Sequence, residues 1–421
     1  MAPPPVSEVI NVTDLSDFAS PYNWESEYLK SSKSPEHVLF HDLTLEGDGE
    51  EMAGVTISEA NKIELAKRLD DIGIPRLSVL GNSPRPSARD IRVAERIVGL
   101  GLRARLGAFV KTEEEIRLAA SIGVDSISIL VWVNDGLLPD GITGEQVIEK
   151  SLRCTTLAKE LGLHTCFMAM DSTRTRAAFL QQVIETIDPL CDEFAIADSV
   201  GVASPFGFRY LLEQVSSWTQ KPLQVHCHNN ASVAVANALA AVMGGASILH
   251  TTVNGLGEFA GLLALEEVSV ALTMHLGITP EIDFRQLTGL SEFVSDITGI
   301  PRPPNRPVVG ENAFCVPETE EIQEALWELS QTGKLENSLT FPPQAVGNRF
   351  QMAIGRRCNE FTVRYNLWAH GYSAEPDTIE AIVAVVREHA GDGDGYYRMD
   401  EQTFLDLVQD GDFAIHAINS D

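Results

Sequence analysis

Two histidines one residue apart, His226 and His228, close an apolar run, LQVHCH, that reads as a β-strand. Side chains alternate across a strand, so both imidazoles point the same way and can share one metal ion, while Cys227 points elsewhere. A pair of buried, hydrogen-bonded histidines fits the same spacing. Which reading holds depends on what the rest of the chain brings beside them.

The elements that would do so follow one rhythm. Short β-branched apolar runs occupy 38–44, 76–81, 103–109, 126–132, 164–170, 193–198, 223–228 and 247–253. Segments with helical apolar spacing lie between them, among them 58–72, 144–161, 175–187, 231–243 and 261–276. Such alternation implies parallel strands joined by crossover helices. Eight units fit a closed (β/α)₈ TIM barrel rather than an open doubly wound sheet. The expected class is α/β: an N-terminal extension over 1–35, a catalytic barrel over 36–280, a linker with helices over 281–341 and a small C-terminal helical subdomain over 342–421. Residues 299–318 are too rich in proline for regular structure, and GDGDG at 391–395 reads as a turn because the later acids of a calcium loop are absent.

A barrel of this kind works at the C-terminal ends of its strands. Those ends are polar here: His41-Asp42-Leu43-Thr44 on the first strand, Asp171 to Arg174 on the fifth, Asp198-Ser199 on the sixth, His226, His228 and Asn229 on the seventh, and Asn254 with Gly255, Gly257 and Glu258 on the eighth. One aspartate at a strand end is often only a helix cap. Five polar ends on one rim point to a site.

The 421 residues are 44% hydrophobic, enough for a large enzymatic domain and a smaller one. Thirty-one Lys and Arg against 60 Asp and Glu leave a net charge of -29, which repels nucleic acid and anionic membranes. The six cysteines are scattered without a Cys-x-x-Cys pair and read as reduced core thiols. The first residues lack the basic and apolar regions of a secretion signal, and no long apolar stretch follows, so a cytoplasmic protein is expected.

The motifs resemble those of the isopropylmalate, homocitrate and citramalate synthases, a family related to 3-hydroxy-3-methylglutaryl-CoA lyase. HDLTLEGDGEEMAG resembles the first-strand Asp-x-Thr-Leu-Arg-Asp-Gly-Glu-Gln, and MDSTRT the fifth-strand Glu-Asp-(Ser/Ala)-x-Arg. ADSVGVASP, VHCHNN and TVNGLGEFAG resemble the motifs of the sixth, seventh and eighth strands. VVGENAF and IGRRCNEFTVRYNLWAHGY resemble the linker and appendage of the synthases, which the lyase lacks.

The resemblance implies a divalent ion, Mg²⁺, Mn²⁺ or Zn²⁺, held by Asp42, His226 and His228 with Asn254 nearby. It implies Claisen-type condensation of an acyl-CoA enolate with a 2-oxo acid, acyl-CoA being the co-substrate, in a homodimer. Glu46, Asp171 and Arg174 are the catalytic candidates; His41, Ser199, Asn229 and Glu50 are the substrate-binding candidates. Asp171 and Arg174 equally suit an ion pair at the rim, Asn254-Gly255 a tight turn, and His250 a satisfied core histidine.

The chain departs from the family pattern at several positions. Glu46 replaces an arginine, with Gly47 inserted after it; Ser78 and Met170 replace glutamates; Asn230 replaces an aspartate and Phe259 an arginine. The linker histidine is absent, the segment reading Asn312-Ala313-Phe314-Cys315. The primary expectation is therefore a synthase-like carbon–carbon bond-forming enzyme with altered substrate. Glu46 suggests a substrate carrying an amine or a neutral group in place of an anion, or else the insertion turns Glu46 away. The alternatives are a metal-dependent lyase, aldolase or decarboxylase acting on a substrate without CoA, and a catalytically silent regulatory relative.

Overall fold

The computed structural model describes residues 12–25, 30–81, 86–139 and 141–418. They form two compact units, Val12–Arg302 and a second that begins at Pro303.

In the first unit eight strands carry the apolar runs: β1 (Leu39–Asp42), β2 (Arg76–Leu80), β3 (Arg105–Val110), β4 (Ser126–Trp132), β5 (His164–Met170), β6 (Glu193–Asp198), β7 (Leu223–Cys227) and β8 (Ile248–Thr251). Each pairs in parallel with the next, and β1 pairs with β8, His41 opposite His250, which closes the barrel. Strands of a closed parallel barrel are covered on both faces, which explains their nearly continuous apolar sequences.

The crossover helices are α1 (Glu59–Ile72), α2 (Ala88–Val98), α3 (Glu113–Ile122), α4 (Gly144–Glu160), α5 (Ala177–Ile187), α6 (Pro205–Trp218), α7 (Ala234–Met243) and α8 (Leu265–Leu276). Their starts are written locally. Ser87 with Asp90, Thr112 with Glu115 and Thr143 with Gln146 form capping boxes at α2, α3 and α4. Ser204 caps α6, with Pro205 in its first turn.

Two helices begin later than their periodicity predicts, α7 at Ala234 rather than 231 and α8 at Leu265 rather than 261. The residues between were taken by the rim. The Asn229 amide donates to the Gly261 carbonyl at 2.8 Å. Leu262 bridges to His228, and Ala264 to Thr252. Gly261 has φ +83°, and a Cβ there would strike the Gly255 carbonyl, so this crossing of loops needs glycine. A further helix, α9 (Leu287–Thr298), belongs to the barrel unit, which runs past residue 280 to Arg302.

The barrel interior is layered. Leu43, Phe109, Cys166, Met168, Ala195 and Ala197 form an apolar cluster. His41, Ser78, Gln224 and His250, also buried, make a polar layer. Arg76, His164 and Glu193, the first residues of β2, β5 and β6, lie at the N-terminal ends of the strands.

The second unit contains α10 (Glu320–Gln331), α11 (Glu360–Ala369), α12 (Pro376–Ala390) and α13 (Glu401–Asp410). Ile354, Val363, Leu367, Ile382 and Phe404 belong to one of its cores; Val316, Phe350, Met352, Tyr365 and Trp368 make another. The proline-rich segment ends in order: Cys315–Val316 pairs in parallel with Gln351–Met352. All six cysteines are free, and five are buried. No described helix is long and apolar enough to cross a membrane.

Candidate active site

Strand alternation brings His226 and His228 to the same face, as their spacing predicts, and their Nε2 atoms lie 3.2 Å apart. Metal–imidazole bonds of about 2.0–2.1 Å set two nitrogens on one ion roughly 3.0–3.4 Å apart, so the pair fits a shared ion as two of its ligands. Burial pushes His226 down to about 4, so its imidazole is neutral at neutral pH, the form that ligates. Both histidines line a cavity of about 260 Å³ at the C-terminal mouth of the barrel.

The other two expected ligands do not join them. Asp42 is fully buried; its Oδ1 accepts from the Thr44 amide at 3.0 Å and its Oδ2 from the Thr251 hydroxyl at 3.2 Å. Leu43, its neighbour, belongs to the interior apolar cluster, and alternation therefore turns Asp42 away from the barrel axis. Burial pushes its carboxyl up to about 6. Asn254 has φ +60°, and its amide is committed to Ser291, donating to the carbonyl at 2.9 Å and accepting from the hydroxyl at 2.5 Å. Neither lies on the cavity wall. Among the described residues no group of three or more His, Cys, Asp and Glu is assembled as a metal cage.

Of the catalytic candidates, Glu46 is buried and lines the cavity. Its carboxylate packs against Gly81, where a Cβ would collide with it. Asp171 and Arg174 instead form a two-pronged ion pair, Nε to Oδ1 and Nη2 to Oδ2 at 2.7 Å each, and Asn134 donates to Asp171 at 2.6 Å. That pair stands off the cavity wall.

Of the substrate-binding candidates, Ser199 lines the cavity, and its hydroxyl accepts from the Asp171 amide at 2.9 Å. His41 lies in the polar layer, with Nε2 3.1 Å from the Ser78 hydroxyl and Nδ1 3.5 Å from Gln224 Oε1. Burial first, then the Arg76 charge, pushes it down to about 4. The Asn229 side chain accepts from the Ala234 amide at 3.1 Å and so anchors the start of α7. Glu50 pairs with the buried Lys62 and accepts from the Ile57 amide at 2.7 Å, a brace for the segment that follows β1.

The cavity also holds residues that motif reading passed over. Lys111 follows β3, and Trp132 ends β4; these are strand ends like the others, but no polar cluster draws attention to them. Lys111 is the only Lys or Arg on the wall among the described residues. The buried indole N–H of Trp132 has no acceptor among them. Phe109, Leu130, Met168 and Met170 supply apolar surface. Phe259, 77% exposed and at φ +54°, sets its ring centroid 6.5 Å from that of His228 at the mouth. Three of the departures from the synthase pattern, Glu46, Met170 and Phe259, thus fall on the cavity wall. A fourth, Asn230, ties the rim together by donating to the Val200 carbonyl and accepting from the Ala260 amide, both at 3.1 Å.

Comparison with known proteins gives the context for this geometry. The chain is 33% identical to a probable 2-isopropylmalate synthase of Archaeoglobus fulgidus over 85% of its own length and 70% of that protein. It is 31% identical to a homocitrate synthase of Methanopyrus kandleri over 93% of its length and 96% of the relative. It is 32% identical to an (R)-citramalate synthase of Methanocaldococcus jannaschii over 83% and 70%. Among solved structures, the HMG-CoA lyase of Bacillus subtilis superposes with a TM-score of 0.57 at 18% identity, covering 64% of this chain and 96% of the lyase, a likeness of fold. The HMGL-like family profile matches residues 37–294, the whole barrel, and the chain belongs to the HMGL-like family.

Proposed function

We propose that this protein condenses an acyl-CoA thioester with a 2-oxo acid, using a divalent metal ion at His226 and His228. The observation that carries the reading is the convergence of two imidazole Nε2 atoms, 3.2 Å apart, on the wall of the cavity at the mouth of the barrel. The names of the relatives, 2-isopropylmalate, homocitrate and citramalate synthases, support the same reaction class.

His226 and His228 would hold the ion, which when bound would supply Lewis-acid polarisation of the 2-oxo acid's ketone. Lys111 takes the carboxylate of that acid as a point charge. Glu46, the buried carboxylate of the wall, removes a proton from the carbon next to the thioester carbonyl. The resulting enolate carbon bonds to the ketone carbon, whose oxygen takes the electron pair and then a proton. Water then cleaves the thioester and releases the CoA thiol. Met170 and Phe259, standing where the family pattern has charged groups, fit an acceptor whose side chain is apolar at that end. A cytoplasmic homodimer completes the reading, to be checked by cell fractionation and sedimentation.

The test is thiol release from a panel of acyl-CoAs and 2-oxo acids with Mg²⁺ or Mn²⁺. Release that requires the ion and is lost in His226→Ala is the expected result. A silent panel with the ion still bound overturns condensation and leaves cleavage or decarboxylation of a substrate without CoA.

A further inference from the structure

Behind His226 a continuous line of buried polar contacts runs down the barrel. His226 Nδ1 lies 3.3 Å from His250 Nδ1, and His250 Nε2 lies 2.6 Å from Gln224 Oε1. The Gln224 amide nitrogen donates to Glu193 Oε2. Glu193 in turn accepts both prongs of Arg76, at 2.7 and 2.9 Å, and has His164 Nε2 3.2 Å from its Oε1. Every member between Arg76 and His226 is at most 5% exposed.

The direction of each hydrogen bond follows from what each group is able to do. Burial works against charge on Glu193, but hydrogen bonds from His164 and Arg76 hold its carboxyl down to about 2, so it is an anion and accepts only. Gln224 must therefore turn its NH₂ toward Glu193 and its carbonyl toward the histidines. That carbonyl accepts from His250, so the proton of His250 sits on Nε2. With that proton on Nε2, Nδ1 of the His250 imidazole is left as an acceptor, and a contact between two Nδ1 atoms needs one donor and one acceptor. The partner across 3.3 Å, His226, must then carry its proton on Nδ1. Its Nε2 lone pair is what remains to face His228. A buried carboxylate at the opposite end of the strands thus fixes, through an amide and a second imidazole, the tautomer of a rim histidine.

We infer that Glu193, Gln224 and His250 are positioning residues that lock His226 as the Nδ1–H tautomer with its Nε2 free to ligate. Their role toward the ion rests on the function proposed above; the tautomer itself does not. The same carbonyl of Gln224 reaches His41 Nδ1, so the amide serves two imidazoles and has no spare rotamer that satisfies both. A leucine or methionine at this position fills the space but leaves His250 without its acceptor and free to take either tautomer.

The test uses the full chain labelled with ¹⁵N-histidine and Zn²⁺ as the probe. Ring-nitrogen spectra of the metal-free protein should show His226 as Nδ1–H in the wild type and as a mixture in Gln224→Met. Calorimetric titration should show Zn²⁺ bound about tenfold or more weaker by the variant, as loss of an outer partner does at metal sites. Should Gln224→Met not fold, Glu193→Gln serves, since an amide facing Gln224 frees it to flip; a mixed tautomer is again expected. Ser78→Ala, which touches His41 alone in this line, should keep both the His226 tautomer and the Zn²⁺ affinity. A folded Gln224→Met protein with the wild-type tautomer and affinity overturns the inference. Wild-type protein that binds no Zn²⁺ but keeps a single His226 tautomer sinks the proposed function and leaves the positioning line standing.

Discussion

Among the described residues Lys111 stands alone as a cation on a cavity wall that also carries Glu46, Glu51, Glu115 and Glu258. If it seats the carboxylate of the 2-oxo acid, Lys111→Met should raise KM for that acid about thirtyfold while kcat changes less, a loss of about 2 kcal/mol of binding. An unchanged KM in steady-state assays would remove it from the site. The residue scale is also where sequence reading divides most sharply. His226 and His228 share a face whatever the fold does, because alternation is a property of any strand. Asp42 was beyond reach for the same reason. In a strand covered on both faces nothing in the sequence says which parity looks inward, and His41 took the interior. Asn254 was lost to a partner far along the chain, Ser291, whose helix no motif ties to the rim.

Among the elements, the alternation of strands and helices was legible throughout, since capping boxes and apolar spacing act within a few residues. What was not legible was the rim. Residues 231–233 and 261–264 carry helical spacing, yet they are spent on a rim whose loop-to-loop hydrogen bonds exist only once β7 and β8 lie side by side. The turn after β5 shows what such a rim costs and how it is held. Asp171 adopts φ +60° and is fixed by Arg174, Asn134 and the Ser199 hydroxyl. Asp171→Ala removes the carboxylate bonds from Arg174 and Asn134, leaves the backbone bond to Ser199, and places a Cβ-only side chain in the left-handed region. Urea unfolding should show a loss of about 2–3 kcal/mol, discounted for the partly exposed guanidinium. Thiol release per folded molecule should survive; its complete loss in folded protein would return Asp171 to catalysis.

For the molecule as a whole, the buried Glu193 carboxylate, held by His164 and Arg76, links stability to pH. The Glu193 carboxyl sits at about 2 in the folded chain against 4.5 when free, so unfolding raises its proton affinity. The corresponding stabilisation, about 3 kcal/mol, is complete above 4.5 and drains away as pH falls through the folded value. The gap in urea midpoint between wild type and Glu193→Gln should therefore narrow between about pH 5 and pH 3. A gap that stays constant over that range would mean that His164 and Arg76 are not what holds the carboxyl down.

The interior line has one more consequence. Arg76, His41 and Ser78 come from the first two strands, while Glu193, Gln224, His226 and His250 come from the last three. A run of four strands from either side would hold one charge of the Arg76–Glu193 pair without the other, and a lone buried charge is costly. The two halves of this barrel are therefore unlike and mutually dependent. Neither is a spare copy of the other, and a chain cut or stalled midway carries donors whose acceptors have yet to be made.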